Sequence, residues 1–224
     1  MTTTHSRLLG TVAVAACLVV APTLEILEEL ISPLVSTSTR ADVIAISQHQ
    51  TRFVASVLIG MVATLLFLPG LLGLAARTVG RAPVASRVAA GLLCVGLPGF
   101  MAIRLGQAIE LQGVRDGLPS TTTANLVDHL GSNPLGIAVL VCFLGGTVVG
   151  LIALGVAAWR AGLPRPAAVL VGAFGVVDNV TESVVPGWLS HLVLLVGLAW
   201  ISMALLRAER PRAATAWQGS VAAA

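Results

Sequence analysis

Lysine is missing from this 224-residue chain and charge of any kind is scarce: the basic residues are thirteen arginines, and charged side chains make up 10% of the whole. A soluble domain of this length needs a charged coat, and there are too few charges here to make one. The all-arginine set is read as genome composition and carries no chemistry of its own. Cysteine is rare too. Cys17, Cys94 and Cys142 each lie inside an apolar run, so no disulfide framework is implied and all three read as small core residues. No C-x-x-C or H-E-x-x-H spacing occurs, which leaves a zinc site unsupported. Haem held between spans needs histidines on two helices, and only His191 lies within one. No metal and no cofactor is expected.

What the chain has instead is grease: 56% hydrophobic residues, a mean hydropathy of +0.95, and apolar runs of roughly twenty residues recurring along its length. Six spans follow from hydropathy, at 8–30, 53–76, 88–110, 135–159, 166–185 and 187–206. The expected fold is all-α, a polytopic membrane protein with six transmembrane helices in one bundle. Residues 1–212 form that single domain, and 213–224 a disordered cytoplasmic tail. Helices are the one open solution for most of the chain, because lipid satisfies no backbone group and an open sheet edge would stay unpaired. "VAAC" at 14–17 resembles a lipoprotein cleavage box, but the apolar pattern runs on to Ile31, so the segment is read as a retained helix. "GRAP" at 80–83, "SNP" at 132–134 and "AGLPRP" at 161–166 mark the joints, and His49 and His129 fall in two long outer loops.

Arginine sets the orientation. With an even number of spans both termini share a side, which collects Arg7, Arg77, Arg81, Arg87, Arg160, Arg165, Arg207, Arg210 and Arg212; the other side holds Arg40, Arg52 and Arg115. The positive-inside rule puts the richer side, and both termini, in the cytoplasm of a cell-membrane protein. Trp159 and Trp188 fall at opposite span ends, as interfacial anchors do. The net charge of +3 therefore needs no nucleic-acid partner; membrane lipids are the expected surroundings, and the oligomeric state is left open.

In that topology the acids gather at the outer end. Glu25 lies about 25 Å along span one at ~1.5 Å per residue. Arg104, Gln107 and Glu110 in span three, Asp178, Asn179, Thr181 and Glu182 in span five, and His191 in span six reach the same level. Glu25 with Glu29, Asp178 with Glu182, and Glu25 with Glu28 are four or three apart, so each pair shares a helix side. Charges within spans turn inward, pair, and mark a site. An acidic outer-leaflet pocket with Arg104 as counter-charge is the expectation, the arginine being either a substrate clamp or half of a salt bridge with Glu110. Wetted helix ends are the competing account, above all for Glu28 and Glu29, and Glu28 is expected to face headgroups. Pro69 and Pro98, each mid-span, are expected to kink their helices and open room. "GLLG" at 70–73 and the G-x-x-x-G from Gly146 to Gly150 read as close helix packing.

A faint repeat of about 81 residues relates Gly10 to Gly91 to Gly172, Glu29 to Glu110, and Pro83 to Pro164, which suggests three similar helical hairpins in parallel.

Acid near the end of span one, "HQTRFVAS" entering span two and "LFLPGLLGLAARTVGRAP" leaving it resemble an uncharacterised family of six-span bacterial integral membrane proteins, over most of the chain. More weakly, the chain resembles small integral-membrane terpene cyclases, which are short, helical and cofactor-free and use carboxyl groups from separate helices. That resemblance implies acid-catalysed cyclisation of an isoprenoid or prenylated lipophilic substrate. Glu25 or Glu29 with Asp178 or Glu182 would be its catalytic carboxyls, and Arg104, Gln107, Asn179, His191 and Trp188 its substrate-binding residues. Phe100, Trp188 and Trp200 are candidates for cation–π contact with a carbocation. A proton-coupled small transporter and a non-catalytic membrane subunit are the alternatives.

Overall fold

Pro83, Pro134 and short polar residues such as Ser38 and Asn133 mark the starts of helices, while Pro22, Pro69 and Pro98 lie inside them. The computed structural model describes residues 2–34, 38–181 and 186–221, with side chains described over 9–34, 38–178 and 186–209. Among the described residues there are eight α-helices and no strand: α1 Thr2–Ile31, α2 Thr39–Gln48, α3 Gln50–Thr78, α4 Pro83–Arg115, α5 Ser120–Ser132, α6 Pro134–Arg160, α7 Arg165–Thr181 and α8 Gly187–Val221. Pro83 and Pro134 sit in the first turn of α4 and α6, where a missing N–H costs nothing. The Asn133 side chain caps α6 by accepting from the Gly136 N–H at 2.8 Å. The "VAAC" segment lies inside the unbroken α1, and α3 and α4 continue as helix past Pro69 and Pro98.

Five of the helices are long and apolar enough to cross a membrane: Leu9–Ile31, Gln50–Thr78, Pro83–Arg115, Pro134–Arg160 and Gly187–Glu209. Five such helices in one chain are the mark of a multi-pass membrane protein. Large apolar side chains accordingly face outward on every one of them, among them Leu9, Leu58, Val95, Val141 and Val196. Cys94 and Cys142 also face outward and Cys17 is half-buried, so the cysteines are not the core residues the sequence suggests. Helix α7 has 17 residues, and the rest of the fifth expected span, 182–185, lies outside the described residues. The α8 backbone is helical to Val221, through the segment read as a tail.

The two outer loops of the sequence reading are corrected here: both contain helices. Ser38 caps α2 by accepting from the Ala41 N–H at 3.2 Å, and Val43 and Ile46 are buried on its inner face. In α5, Thr123 and Ala124 are buried. The two short helices pack on each other and on α4, and the Thr39 hydroxyl joins them by donating to Asp128 at 2.7 Å.

Helices α1 and α3, α4 and α6, and α7 and α8 pack as hairpins, while α3 also touches α4, α6 touches α7, and α8 returns to α1. One apolar cluster, with Leu18, Leu71, Leu93, Leu154, Val171 and Leu198 at its centre, draws on all six. Some helix starts keep the spacing of the faint repeat, α1, α4 and α7 at residues 2, 83 and 165 and α2 and α5 at 39 and 120. In contrast, α3 and α6 start 84 residues apart, and only residues 182–186 separate α7 from α8, too few for a short helix like α2 or α5.

Glycine permits the closest crossings. A Cβ on Gly146 of α6 would stand 2.5 Å from the Gly96 nitrogen of α4, so neither position has room for a side chain. Gly145, one residue earlier, faces open space. Gly146→Val is expected to cost ~3 kcal/mol, the upper end for overpacking, while Gly145→Val stays within about 0.5 kcal/mol of the parent. Thermal unfolding in detergent measures both, and equal effects would mean that α4 and α6 do not meet at these glycines.

Candidate functional site

Helix spacing brings the first part of the site together. Glu25 and Glu28 are three residues apart on α1 and project to one side; both are buried, at 1% and 6% exposure. On α4, Phe100 and Arg104 are four apart, and the guanidinium lies over the Phe100 ring at 4.6 Å from its centre. Arg104 crosses α3 to reach α1, because α3 lies between them in the order of neighbours. It does so over Gly60, where a Cβ would come within 2.8 Å of the arginine Nε and closer still to the head of the guanidinium. Arg104 Nη2 donates to Glu25 Oε2 at 2.7 Å, and Nη1 donates to Glu28 Oε1.

Two expectations are corrected by that cluster. Arg104 pairs with Glu25 and Glu28 rather than with Glu110, and Glu28 is a buried ion-pair partner rather than a headgroup-facing acid. The physical reason is one of side. The face of α1 that carries Glu25 and Glu28 turns inward, whereas Glu29, 100° further round, is exposed. The Glu29 carboxyl lies instead against Gly187 at the start of α8, where a Cβ would be 3.1 Å from it.

Two carboxyls share one guanidinium, and the cluster remains underpaired. Glu25 Oε1, Glu28 Oε2, Arg104 Nε and Gln107 Oε1 are buried with no hydrogen-bond partner among the described residues. Buried polar atoms are satisfied as a rule, so these four mark a place for water or a bound molecule.

The second part is a cavity of about 70 Å³ bordered by all six long helices. Glu25, Asp178 and His191 give it a polar edge, and Thr147 adds a hydroxyl that already donates to the Phe143 carbonyl at 2.6 Å. Its wall is apolar, and Phe67, Phe100, Phe143 and Phe174 all face it. The chain has five phenylalanines in total, so the aromatic rings are concentrated on this one space. Phe100 and Phe143 stack with centres 4.8 Å apart, and Phe174 meets His191 edge-on at 5.2 Å. The Ser190 hydroxyl donates to Asp178 Oδ1, and His191 Nδ1 lies 3.0 Å from the Gly187 carbonyl. An apolar cavity near 150 Å³ holds benzene. A space half that size takes a few waters or a fragment smaller than benzene.

Of the residues singled out in the sequence, Glu25, Asp178, His191 and Phe100 border the cavity. Arg104 is the counter-charge of the adjoining cluster, and Gln107, three residues further along α4, has a buried oxygen without a partner among the described residues. Glu29, Glu110, Trp188 and Trp200 do not border it. Glu182 and the side chains of Asn179 and Thr181 lie outside the described residues. Gly60, Ser190, Thr147 and three of the four phenylalanines were not anticipated. The scarcity of aromatic residues, 4% of the chain, was the one signal that could have raised the phenylalanines. Among the described residues, no three His, Cys, Asp or Glu side chains are grouped to hold a metal ion.

No family model matches this chain, and neither does any curated protein or solved structure.

Proposed function

We propose that the chain crosses the cell membrane six times as one bundle, with both termini in the cytoplasm, and that it is an acid catalyst acting on the end of an isoprenoid or prenylated lipophilic substrate. The reading of α7 as a span in addition to the five longer helices rests on its contacts with α6 and α8. Orientation rests on the excess of arginine in the loops on one side. A reporter that is active in the cytoplasm is expected to work at residue 82 and at the C-terminus and to be silent at residue 120; the reverse pattern would invert the topology.

One observation carries the catalytic reading: carboxyls from two separate helices, Glu25 and Asp178, edge a cavity whose wall holds four phenylalanines. Protonating an alkene needs a carboxylic acid at the substrate and no competing water, and the cation that follows needs aromatic faces and fixed negative charge. In this mechanism Asp178, held by Ser190, donates its proton to the terminal alkene. The cation is attacked by a second alkene of the same chain, which forms the new carbon–carbon bond. Glu25 takes the proton lost from the neighbouring carbon. Substrate and product are then isomers, and no cofactor takes part. At about 70 Å³ the cavity is smaller than the reacting part of such a substrate, so binding requires the surrounding helices to open around it.

These features are similar to those of the small integral-membrane terpene cyclases and support assignment to that class of reaction. The test is incubation of the purified protein in membranes with a panel of prenylated phenols, indoles and linear isoprenoids, followed by mass spectrometry and chromatography. Conversion of at least one substrate to an isomer of unchanged mass is expected. Absence of conversion across the panel, with the protein folded and inserted, would overturn the enzyme reading.

A further inference from the structure

A second concavity lies on the outside of the molecule, remote from the acids. Helices α6 and α7 approach so closely at Gly155 that a Cβ there would be 2.7 Å from the Ala168 carbonyl oxygen and 3.0 Å from Gly172. Beside this crossing the structure leaves a groove of about 440 Å³. Gly155 and Ala168 form its buried floor, and Ile152, Val156 and Val169, each at least 40% exposed, stand up as its walls. Its volume is within the range of pockets that hold a small organic ligand.

The groove is apolar along its length and cationic at one end. Trp159 and Arg160, in the last turn of α6, close that end, and Arg165 opens α7 just beyond it. The Arg165 guanidinium lies 5.6 Å from the centre of the Trp159 ring, which holds a second positive charge beside the first. Arg81 is drawn to the same joint, where its Nη1 donates to the Ala161 carbonyl at 2.5 Å. Among the described residues, neither Arg160 nor Arg165 is joined to a carboxylate in an ion pair.

We infer that this groove is a specific binding site for an anionic phospholipid, with one acyl chain along the α6–α7 seam and the phosphate at Arg160 and Arg165. A tryptophan belongs at the level where chain gives way to headgroup, and basic pockets between spans take up lipid phosphates in this way. A second copy of the chain is the less favourable occupant, because a two-fold contact through the groove would bring four guanidinium groups together. The inference is independent of the catalytic reading, since the groove and the central cavity share no lining residue.

The full chain, delipidated in a neutral detergent, is titrated with phosphatidylglycerol and with phosphatidylcholine of identical acyl chains. Bound lipid is followed by native mass spectrometry and stability by Tm. One phosphatidylglycerol per chain is expected, held about thirtyfold more tightly than phosphatidylcholine, on the basis of roughly fivefold for each arginine. Arg160→Gln with Arg165→Gln removes that preference and leaves the lipid-free Tm unchanged, since both side chains are exposed. Val169→Trp, which fills the groove without touching the charge, weakens both lipids. Equal affinity for the two lipids, a preference that survives the double substitution, or a lipid-free dimer sealed through this groove would each overturn the inference.

Discussion

Arg104→Leu is expected to destabilise the protein by about 3–5 kcal/mol, because it leaves Glu25 and Glu28 buried against each other with no counter-charge. The loss is read as a lowered Tm in detergent and reduced yield from membranes. The cost belongs to the abandoned carboxyls more than to the missing guanidinium. Neutralising them therefore restores stability: Arg104→Leu combined with Glu25→Gln and Glu28→Gln is expected to recover most of it, since a buried ionic group replaced as a whole is often tolerated. Glu110→Gln, in contrast, is expected to rescue nothing, as Glu110 is not a partner of the arginine. Rescue by Glu110→Gln alone would mean that the ion pair runs within α4 and that α1 and α4 are not joined by charge. Gly60 offers a second check on the same contact. A side chain there occupies the path of the guanidinium, so Gly60→Val should reproduce much of the Arg104→Leu loss with every charge still present.

The apolar helices were legible in the sequence because a membrane imposes one rule on every span, and the hydropathy windows fall within a few residues of α3 and α6. The short helices were not. Buried residues such as Val43, Ile46 and Ala124 occupy one face of α2 or α5, with polar residues between them, and a window that averages over a span length hides such a face. The spacing of about 81 residues noted in the sequence recurs in the starts of α1, α4 and α7.

The site divides along a similar line. That acids gather at one end could be read from residue depth alone. Which acids face inward could not, because Glu25 forms an i,i+3 pair with Glu28 and an i,i+4 pair with Glu29, and local geometry favours both equally. The choice was made by Arg104, 79 positions from Glu25, and by a glycine on a third helix that lets it pass. No local pattern carries such a contact. Likewise Phe67, Phe100, Phe143 and Phe174 stand far apart in sequence on four helices, and only the packing order makes them one wall.

That division sharpens the expectation for catalysis. Glu25→Gln keeps an oxygen for the Arg104 Nη2–H, and it leaves Glu28 and Arg104 as a balanced pair, so folding should survive. Asp178→Asn keeps an oxygen to accept from the Ser190 hydroxyl. Each substitution removes a group that gives or takes a proton while preserving shape. If these two groups give and take the proton, turnover of an isoprenoid substrate should fall about a hundredfold to ten-thousandfold in either variant, the usual loss when general acid–base help is removed. The fall should appear in kcat, with KM nearly unchanged, because the apolar wall that binds the substrate is untouched. Glu29→Gln is the control. Glu29 has the same chemistry and lies one turn from Glu25, but it is exposed and packs against Gly187 outside the cavity, so its loss should change turnover less than about threefold. Should Glu29→Gln abolish turnover while Glu25→Gln and Asp178→Asn retain it, the chemistry would belong to the wetted face of α1, and the phenylalanine-walled cavity would be packing alone.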